Sequence, residues 1–256
     1  VQEGANAGEL IIPMLDMQGL GDYSRNSGYV EGDVTLKNET VKCNYDRGRM
    51  FNIDAMDDIE TAQVPMANLS GEFVRTKVAP EEDAFRFACY AGKEGISKVA
   101  AGADLADGAA VIAAIRAGNN KLDEDEVPLT ERYLFITPSL LGLVQDMDTN
   151  KSREVLQNFT AIIKVPQTRF YTAISLKSGK DGEAAGGYAK AVSAKDINFM
   201  IIHKPAVIQF PKHVVPKIVT PEQNQSGDAW KFGYRHVAIA DIYKNKLAGV
   251  YLHHKP

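Results

Sequence analysis

Residue types that stabilise small secreted or membrane-embedded proteins are scarce in this sequence. Its 256 residues include two cysteines, Cys43 and Cys89. Two cysteines cannot form a disulfide framework, so a reducing compartment is the simpler expectation. The longest apolar stretches are strand-sized or interrupted by His, Lys and Pro, short of the roughly 18 residues of a membrane span. The first ten residues lack the basic and apolar segments of a signal peptide. We therefore predict no membrane association.

Common catalytic and metal-binding motifs are also missing. No G-x-S-x-G, G-x-x-x-x-G-K-[ST] or H-E-x-x-H motif occurs. The five histidines all lie in the last quarter of the chain: His203, His213, His236, His253 and His254. No two of them have the i, i+4 spacing of a helical metal site. Asp57 and Asp58 are better explained as helix caps than as paired carboxylates, because adjacent helical residues do not face each other. We predict that the protein is not an enzyme and has no cofactor or metal.

What the sequence does contain is an average globular composition with an uneven charge distribution. Apolar residues make up 45% and charged residues 24%, and the length fits one or two domains. The net charge of -4 argues against broad binding of nucleic acid. Residues 1–130 carry a net charge of -11 and residues 131–256 one of +7. Either the halves neutralise each other within one folded chain, or copies of the chain meet acidic part to basic part in head-to-tail contacts.

Two alternating segments near the N-terminus predict a two-stranded excursion over residues 18–54. Residues 34–40 and 41–53 alternate apolar and polar side chains, which is the period of strands with one wetter face. The segment 19–29 is rich in Gly, Asp, Ser and Asn, a concentrated turn signal. Because an isolated hairpin is only marginally stable in water, we expect this one to lie on the same subunit or on another subunit.

A long bent helical spine is predicted next. Four apolar residues recur at helix spacing: Ala62, Met66, Leu69 and Phe73. They predict a helix from Asp57 to Val78, in which Pro65 marks a kink or a later start. Pro80 and the acidic residues after it predict a second start, since Pro and acids favour the first helical turn. This second helix is expected to end near Gly92–Gly95.

The rest of the chain predicts an α+β fold with antiparallel strands from distant parts of the sequence. An amphipathic helix is expected over residues 109–125, with Ile112, Ile115 and Leu122 on its apolar stripe. A short helix is expected over residues 138–147, and residues 178–188 form a Gly-rich flexible loop. The predicted strands are residues 132–137, 161–165, 169–176, 197–203, 206–210, 230–243 and 247–254.

Five segments carry a resemblance through their order and spacing: GLGDYSRNSGYVEGDVTLKNET (19–40), YDRGRMFNIDAMDDIET (45–61), VAPEEDAFRFACYAG (78–92), LDEDEVPLTERYLFITPSLLGLVQD (122–146) and GYRHVAIADIYKNKLAGVYLHHK (233–255). Together they resemble the major capsid proteins of tailed phages and prophages, whose fold is often called the Hong Kong 97 phage-type fold. The resemblance covers roughly residues 10–255. No single segment is highly specific, and the order of all five is what counts.

The resemblance implies a phage major capsid fold with an extended β-hairpin loop, a long spine helix in a peripheral domain, and a mixed α/β apical domain. Residues 1–17 would be a residual N-terminal segment, and residues 18–54 the extended loop that lies across a neighbouring subunit. The peripheral domain would take residues 55–108 and the apical domain residues 109–196, each with parts of residues 197–256. Family members carry an N-terminal arm before this point, so we expect the arm to have been removed.

The implied function is that of a structural subunit that self-assembles, as pentamers and hexamers, into the icosahedral head shell around double-stranded DNA. The implied partners are copies of itself, a scaffolding protein or domain, a portal and a maturation protease, with packaged DNA contacted only indirectly. The implied location is the virion, after assembly in the host cytoplasm. The alternative is the shell protein of an encapsulin-type nanocompartment. A small-molecule enzyme or binding protein with an unfamiliar site is the third possibility.

The resemblance also suggests which residues contact neighbouring subunits. The candidates lie at the tip and base of the extended loop: Asp22, Tyr23, Arg25, Tyr45, Asp46, Arg47 and Arg49. Arg47 or Arg49 would bridge to acids of a neighbour, because the planar guanidinium binds carboxylates in a bidentate way. The alternative is an ordinary solvated strand. Lys37 or Lys42 would be placed for the covalent crosslink that some relatives form.

Overall fold

A computed structural model describes residues 2–3, 8–56, 64–147 and 150–256. The predicted caps Asp57 and Asp58 and the stripe residue Ala62 lie outside these ranges. The strands are β1 (Gln2–Glu3), β2 (Glu9–Met17), β3 (Val34–Lys42), β4 (Tyr45–Asp54), β5 (Ser97–Lys98), β6 (Arg132–Ile136), β7 (Ala161–Lys164), β8 (Ile174–Leu176), β9 (Tyr188–Lys190), β10 (Ile197–His203), β11 (Val207–Val219), β12 (Ala229–Ile242) and β13 (Val250–His254). The helices are α1 (Val64–Phe73), α2 (Ala79–Gly92), α3 (Gly108–Glu124), α4 (Pro138–Gln145) and α5 (Asn150–Gln157).

The predicted spine is continuous over residues 64–92. A five-residue π-helical turn, Val74–Val78, joins α1 to α2, and the Ala79 N–H donates to the Val74 carbonyl five residues back. Pro80 stands directly after this junction. It has no N–H to donate, and its ring clashes with the carbonyl four residues earlier, which accounts for the widened turn. The second predicted helix start is therefore a bend within one helix.

The central five-stranded sheet, in the order β5-β13-β10-β6-β7, is covered on both faces. Every residue of β10 is buried. Met200 and Ile202 pack with Phe87 of α2 in one apolar cluster, whereas Phe199 and Ile201 belong to a second cluster with α3 and α4. Because successive strand residues point to opposite faces, a strand covered on both faces needs apolar residues pointing to both. This explains the continuous apolar run over residues 199–202 within β10.

Arg132 fixes the end of α3 to this sheet. Among the described residues it is the largest side chain that is fully buried. Its guanidinium donates to the carbonyls of Val127 at 2.5 Å and Pro128 at 2.9 Å, to Asn119 Oδ1 at 3.3 Å, and pairs with Asp123 Oδ1 at 2.7 Å. Each buried polar group here has a partner, so this arginine holds the helix end and the strand start in one arrangement.

A three-stranded antiparallel sheet, in the order β11-β12-β4, lies against the spine. The Phe73 ring of α1 is 4.9 Å from the Phe51 ring, in an edge-on arrangement, and also approaches Phe232 and Tyr234. One face of this sheet is therefore covered by the helix. The opposite face exposes Met50 and Val215.

The hairpin is built from different strands than predicted. β3 pairs with β2, from Glu9 opposite Lys42 to Met17 opposite Val34, and β4 pairs with β12. The predicted pairing of residues 34–40 with residues 41–53 is wrong. A period of two tells which residues share a face, but it does not tell which strand lies alongside. Residues 9–17, expected to be part of a residual N-terminal segment, form half of the hairpin.

Three further predictions need correction. The expected strand 169–176 is a strand only over Ile174–Leu176, after a short 3-10 turn at Gln167–Arg169. β11 continues through Pro211 and Pro216 to Val219, which is possible because it is an edge strand whose outer N–H groups need no partner. Helix α5 was not predicted. The other predicted helices and strands are present with ends shifted by a few residues.

Candidate assembly surface

The hairpin of β2 and β3 projects from a root that packs on the body. Leu10, Ile12 and Val41 are buried at the root in one cluster with Ile208 and Ile239 of the three-stranded sheet. The hairpin has nine paired positions, with the root among them, and at about 3.4 Å per residue the whole hairpin spans roughly 30 Å. The distal half of the hairpin is exposed on both faces.

The two faces of the distal hairpin differ in chemistry. On one face Asp16 and Lys37 form an ion pair of 2.7 Å, which lowers the pKa of the Asp16 carboxyl through the lysine hydrogen bond. The other face carries two apolar cross-strand pairs, Leu15 with Leu36 and Met17 with Val34. All four of these side chains are 60 to 68% exposed. We call these four residues the apolar hairpin face. An uncovered apolar patch of this kind marks an interaction surface.

The predicted tip candidates Asp22, Tyr23 and Arg25 are all exposed. The Tyr23 ring lies 5.0 Å from the Tyr29 ring. A tight turn closes the tip, with backbone hydrogen bonds in both directions between Ser24 and Gly28. No ion pair involves these three candidates in the described ranges. The tip is therefore a solvent-facing loop with an aromatic pair.

Tyr45 is not a surface contact, which corrects its prediction as an inter-subunit candidate. It is buried, its hydroxyl donates to Glu81 Oε1 of α2 at 3.2 Å, and its ring lies 4.9 Å from the Phe85 ring. Burial, with the Glu81 charge adding to it, raises the pKa of Tyr45 far above its ordinary value. Tyr45 faces the spine because alternate residues of β4 lie under the helix.

Arg47 and Arg49 also lie on the spine side of β4, and both bind their own chain. Arg47 Nε donates to Glu81 Oε1 at 2.7 Å, and its Nη2 donates to the carbonyls of Lys177 at 2.8 Å and Gly187 at 3.3 Å. Arg49 donates to the carbonyls of Ala184 at 2.8 Å and Ala185 at 3.4 Å. The Gly-rich segment 177–187, which we name the clamped loop, is thus held by two guanidinium groups. These hydrogen bonds restrain the loop, which was predicted to be flexible.

Asp46 points to the opposite side of β4, where it forms a two-pronged pair with Arg235 of β12. The Arg235 Nε and Nη2 atoms lie 2.9 and 2.7 Å from the two Asp46 oxygens. This hydrogen bonding lowers the pKa of the Asp46 carboxyl. Both side chains are more than half exposed, so the pair is screened by solvent and contributes little stability.

A cleft of about 820 Å³ opens between β4, the spine and the clamped loop. Aromatic side chains line part of it, including Phe51, Phe73 and Tyr234. Its wall also carries the cations Arg49 and Lys177, and neither of them forms an ion pair within 4 Å in the part of the chain that the structure describes. The arrangement can accept an anionic or aromatic group.

The residues of the apolar hairpin face were missed by the sequence analysis. Leu15 and Met17 were assigned to the residual N-terminal segment 1–17, and Val34 and Leu36 were assigned to a strand without the correct neighbour. The available signal was the stretch Glu9–Met17, whose apolar residues fall on both faces of a strand. Glu81, which holds both Tyr45 and Arg47, was read only as part of a helix start.

No helix in the described ranges is long and apolar enough to cross a membrane. Within residues 8–56, 64–147 and 150–256, no group of three or more His, Cys, Asp or Glu side chains is arranged to hold a metal ion. Cys89 is mostly buried, and burial raises the pKa of its thiol to about 12, which disfavours the reactive thiolate.

The whole chain superposes on solved capsid structures. The capsid of cyanophage P-SCSP1u matches with a TM-score of 0.62 and 10% identity, over 100% of this chain and 85% of that chain. The mature capsid of bacteriophage PhiM1 matches with a TM-score of 0.62 and 12% identity, over 97% and 82%. A virus-like particle from Pyrococcus furiosus matches with a TM-score of 0.61 and 11% identity, over 98% and 87%. Neither a protein-family model nor a curated protein sequence matches the chain.

The fold is therefore that of capsid shell subunits. At 10 to 12% identity the likeness lies in the arrangement of helices and strands. Within that class it is the phage major capsid fold of the Hong Kong 97 type, and the resemblance stated from the sequence is confirmed at the level of the fold.

Proposed function

We propose that this protein is the major capsid protein of a tailed phage or prophage, a subunit that self-assembles into the icosahedral head shell around double-stranded DNA. The observation that carries the proposal is the pairing of a whole-chain capsid fold with an uncovered apolar hairpin face. Within one subunit this face has nothing to pack on. A neighbouring copy supplies a covering surface, and a shell supplies it to every subunit.

The proposal extends to the partners and place of action. The subunit forms pentamers and hexamers, and its assembly involves a scaffolding protein or domain, a portal and a maturation protease. It acts without catalysis, in the host cytoplasm before assembly and in the virion afterwards. Contact with DNA is indirect, because a chain with a net charge of -4 offers no broad basic surface.

We also propose a division of the chain into an extended loop, a peripheral domain and an apical domain. The extended loop is formed by the hairpin of β2 and β3. The peripheral domain contains the spine and the three-stranded sheet, and the apical domain contains α3, α4 and much of the five-stranded sheet. This division is supported by the two separate helix-and-sheet clusters, and its boundaries differ from the predicted 18–54 at the hairpin.

The test is assembly of the full-length protein. The chain should be expressed with the scaffold, portal and protease encoded beside it, and the product separated by sedimentation and imaged by electron microscopy. We expect closed shells or capsomers. The closed shells should protect DNA from nuclease when the packaging proteins are added. Persistent monomers under these conditions would contradict the proposal.

A shell protein of an encapsulin-type nanocompartment is the second candidate. The match to a virus-like particle from Pyrococcus furiosus is the observation that favours it. The same purification distinguishes the two, because a nanocompartment would contain a cargo enzyme held by a short peptide and would assemble without portal or protease. Phage packaging genes beside this one would favour the capsid.

A further inference from the structure

A buried carboxylate lies at the root of the hairpin, where the surroundings are apolar. The Glu39 side chain of β3 is only 4% exposed, and its Oε1 lies 3.2 Å from Lys244 Nζ. Its Oε2 is buried without a hydrogen-bond partner among the described residues. Glu39 stands opposite Ile12 in the hairpin register. It is a charged residue beside the apolar cluster on which the hairpin rests.

Stability alone does not explain a glutamate at this position. Burying a carboxylate is costly, and a single ion pair with one unpartnered oxygen repays that cost poorly. Only the carboxylate end of the pair is buried, because the Lys244 side chain is 68% exposed, and a buried charge of this kind can often be replaced by an apolar residue of similar size with no loss of stability. An ion pair fixes the relative direction of the two groups that it joins. Apolar packing does not, because the hydrophobic effect is non-directional.

Lys244 belongs to the junction between the two large sheets. It begins the short 3-10 turn Lys244–Gly249 that connects β12 of the three-stranded sheet to β13 of the five-stranded sheet. The turn is itself anchored, with Tyr243 N–H bound to the Ala206 carbonyl at 3.0 Å and Lys246 Nζ to the Pro205 carbonyl at 3.3 Å. The Glu39 pair therefore ties the hairpin to a fixed point of the body.

A second anchor lies where the hairpin meets β4. The Asn44 side chain continues the strand pairing with β12, since its Nδ2 donates to the Ala240 carbonyl at 2.7 Å and its Oδ1 accepts from the Ala240 N–H at 3.1 Å. The apolar packing of the root stabilises the hairpin on the body but is non-directional. The two polar anchors, at Ala240 in β12 and at Lys244 in the turn that follows, add directional contacts that define the angle of the hairpin.

We propose that Glu39 and Lys244 are positioning residues that set the angle of the hairpin, and with it the direction in which the apolar hairpin face points. Their effect on the geometry of the single subunit stands on the contacts given above. Their effect on assembly rests on the proposed function, because only in a shell does the direction of this face decide which surface of a neighbour it meets.

The angle can be measured by double electron–electron resonance on the soluble full chain. Spin labels are placed at Ser27→Cys on the tip and Arg116→Cys on α3, both exposed, in a Cys43→Ala/Cys89→Ala background. We expect a single narrow distance distribution for the parent. Glu39→Met should broaden the distribution and shift its mean, while the melting temperature stays the same or rises. A distribution identical to that of the parent would overturn the proposal.

Two further variants separate orientation from stability. Lys244→Met leaves the buried carboxylate unpaired, so it should lower the melting temperature as well as broaden the distribution. The double variant Glu39→Met/Lys244→Met should recover the melting temperature but keep the broad distribution. If the double variant recovers the narrow distribution as well, the pair has no positioning role and the proposal fails.

The matched control is the other ion pair of the hairpin, between Asp16 and Lys37, which is exposed and lies within the hairpin itself. Asp16→Asn/Lys37→Gln should leave the distance distribution unchanged, and equal broadening would contradict a specific role for Glu39. Assembly of Glu39→Met is then compared with the parent, where we expect fewer or irregular shells. A parent that forms no shells would count against the proposed function and leave the distance result standing.

Discussion

At the scale of single residues, buried polar side chains decide how the elements are held together. Arg132, Tyr45 and Glu39 are each surrounded by protein, yet the first two have their polar groups satisfied and the third does not. Satisfied groups stabilise one arrangement, whereas an unsatisfied one needs another explanation. This contrast is why Glu39 is assigned a positioning role and Arg132 a structural one.

Replacing Arg132 tests the structural role. We expect Arg132→Met to lower the free energy of unfolding by about 3 kcal/mol, because the buried carbonyls of Val127 and Pro128 lose their donors. Urea unfolding followed by circular dichroism measures the change. The control is Arg116→Met, at an exposed position on α3, the helix whose end Arg132 holds. It should change stability by no more than about 0.5 kcal/mol. Equal stability of the two variants would show that Arg132 does not hold the end of α3 on the sheet.

His253 should make the protein less stable in mild acid. Burial lowers the pKa of His253 to about 4 from an ordinary 6.5. Asn198 Nδ2 lies 3.1 Å from His253 Nδ1, where it donates to the unprotonated nitrogen. The unfolded chain therefore takes up the proton first as the pH falls below 6.5. Stability is lost between about pH 6.5 and 4, by at most ~3 kcal/mol from this group.

The variant His253→Phe keeps a ring stacked beside Phe199 and removes the titrating group. Between pH 7 and pH 4.5 the free energy of unfolding should fall less for the variant than for the parent. The comparison is needed because burial also lowers the pKa of His203 and His236, which act in the same direction. His213→Gln, at an exposed site, should follow the parent. Parallel curves for His253→Phe and the parent would contradict the assignment.

At the scale of elements, the hairpin and the clamped loop are the two parts that depend on contacts outside themselves. The hairpin has a buried root and an uncovered distal half. The clamped loop contains glycines with positive φ at positions 179, 182, 186 and 187 and is tied to β4 by arginine side chains. Each of these elements can be perturbed without disturbing the core.

The apolar hairpin face should matter for assembly and not for folding. Leu15→Thr/Leu36→Thr keeps residues that favour strands and removes apolar area that is already exposed in the subunit, so stability should change by no more than about 0.5 kcal/mol. We expect the yield of shells, measured by sedimentation and electron microscopy, to fall sharply. Asp16→Asn/Lys37→Gln alters the opposite face and should assemble better than the apolar-face variant. Normal shells from the Leu15/Leu36 variant would exclude this face as the contact.

Arg49 should control how rigid the clamped loop is. Glutamine at this position is too short to reach the carbonyls of Ala184 and Ala185, so Arg49→Gln removes both bonds. A loss of ~1.4 kcal/mol in local stability corresponds to about a tenfold faster amide exchange. Hydrogen exchange by mass spectrometry should show this increase over residues 178–187 and little change in α3. Unchanged exchange in the loop would mean that Arg49 does not hold it.

At the scale of the whole molecule, the uneven charge distribution is partly neutralised inside one chain. Among the described residues, four ion pairs join an acid of residues 1–130 to a Lys or Arg of residues 131–256: Glu39 with Lys244, Asp46 with Arg235, Asp83 with Arg169, and Asp123 with Arg132. The first of the two alternatives, neutralisation within the fold, is therefore part of the explanation. Head-to-tail attraction between copies stays a prediction.

Salt dependence separates the two contributions to assembly. The apolar hairpin face gains from burial and is not screened by salt, whereas contacts between exposed charges weaken as the Debye length shortens. We expect assembled shells to persist when sodium chloride is raised from about 0.1 M to about 1 M, where that length falls from ~10 Å to ~3 Å. Light scattering and electron microscopy follow the shells. Dissociation in high salt would instead favour head-to-tail charge contacts.

Much of the fold could be predicted because local patterns reflect local burial. The stripe of Ile112, Ile115 and Leu122 predicts α3, and all three side chains are buried in one cluster. β10 and β6 were found as apolar runs because both are covered by helices on two sides. The apolar hairpin face was missed, since an exposed apolar strand and a buried one have the same sequence pattern. Whether Leu15 is covered depends on what lies above it.

The sequence by itself determined the α+β class, the spine, the core helices and strands, and the resemblance to capsid proteins, because periodicity and turn residues act over a few neighbouring positions. Only the tertiary structure decided that β2 is the partner of β3, that Tyr45 is buried under the spine, and that Arg47 and Arg49 bind their own chain. These facts depend on pairings between residues far apart in the chain. Such pairings follow from the packing of the complete molecule, which places an apolar hairpin face in solvent and a charged glutamate in the protein interior.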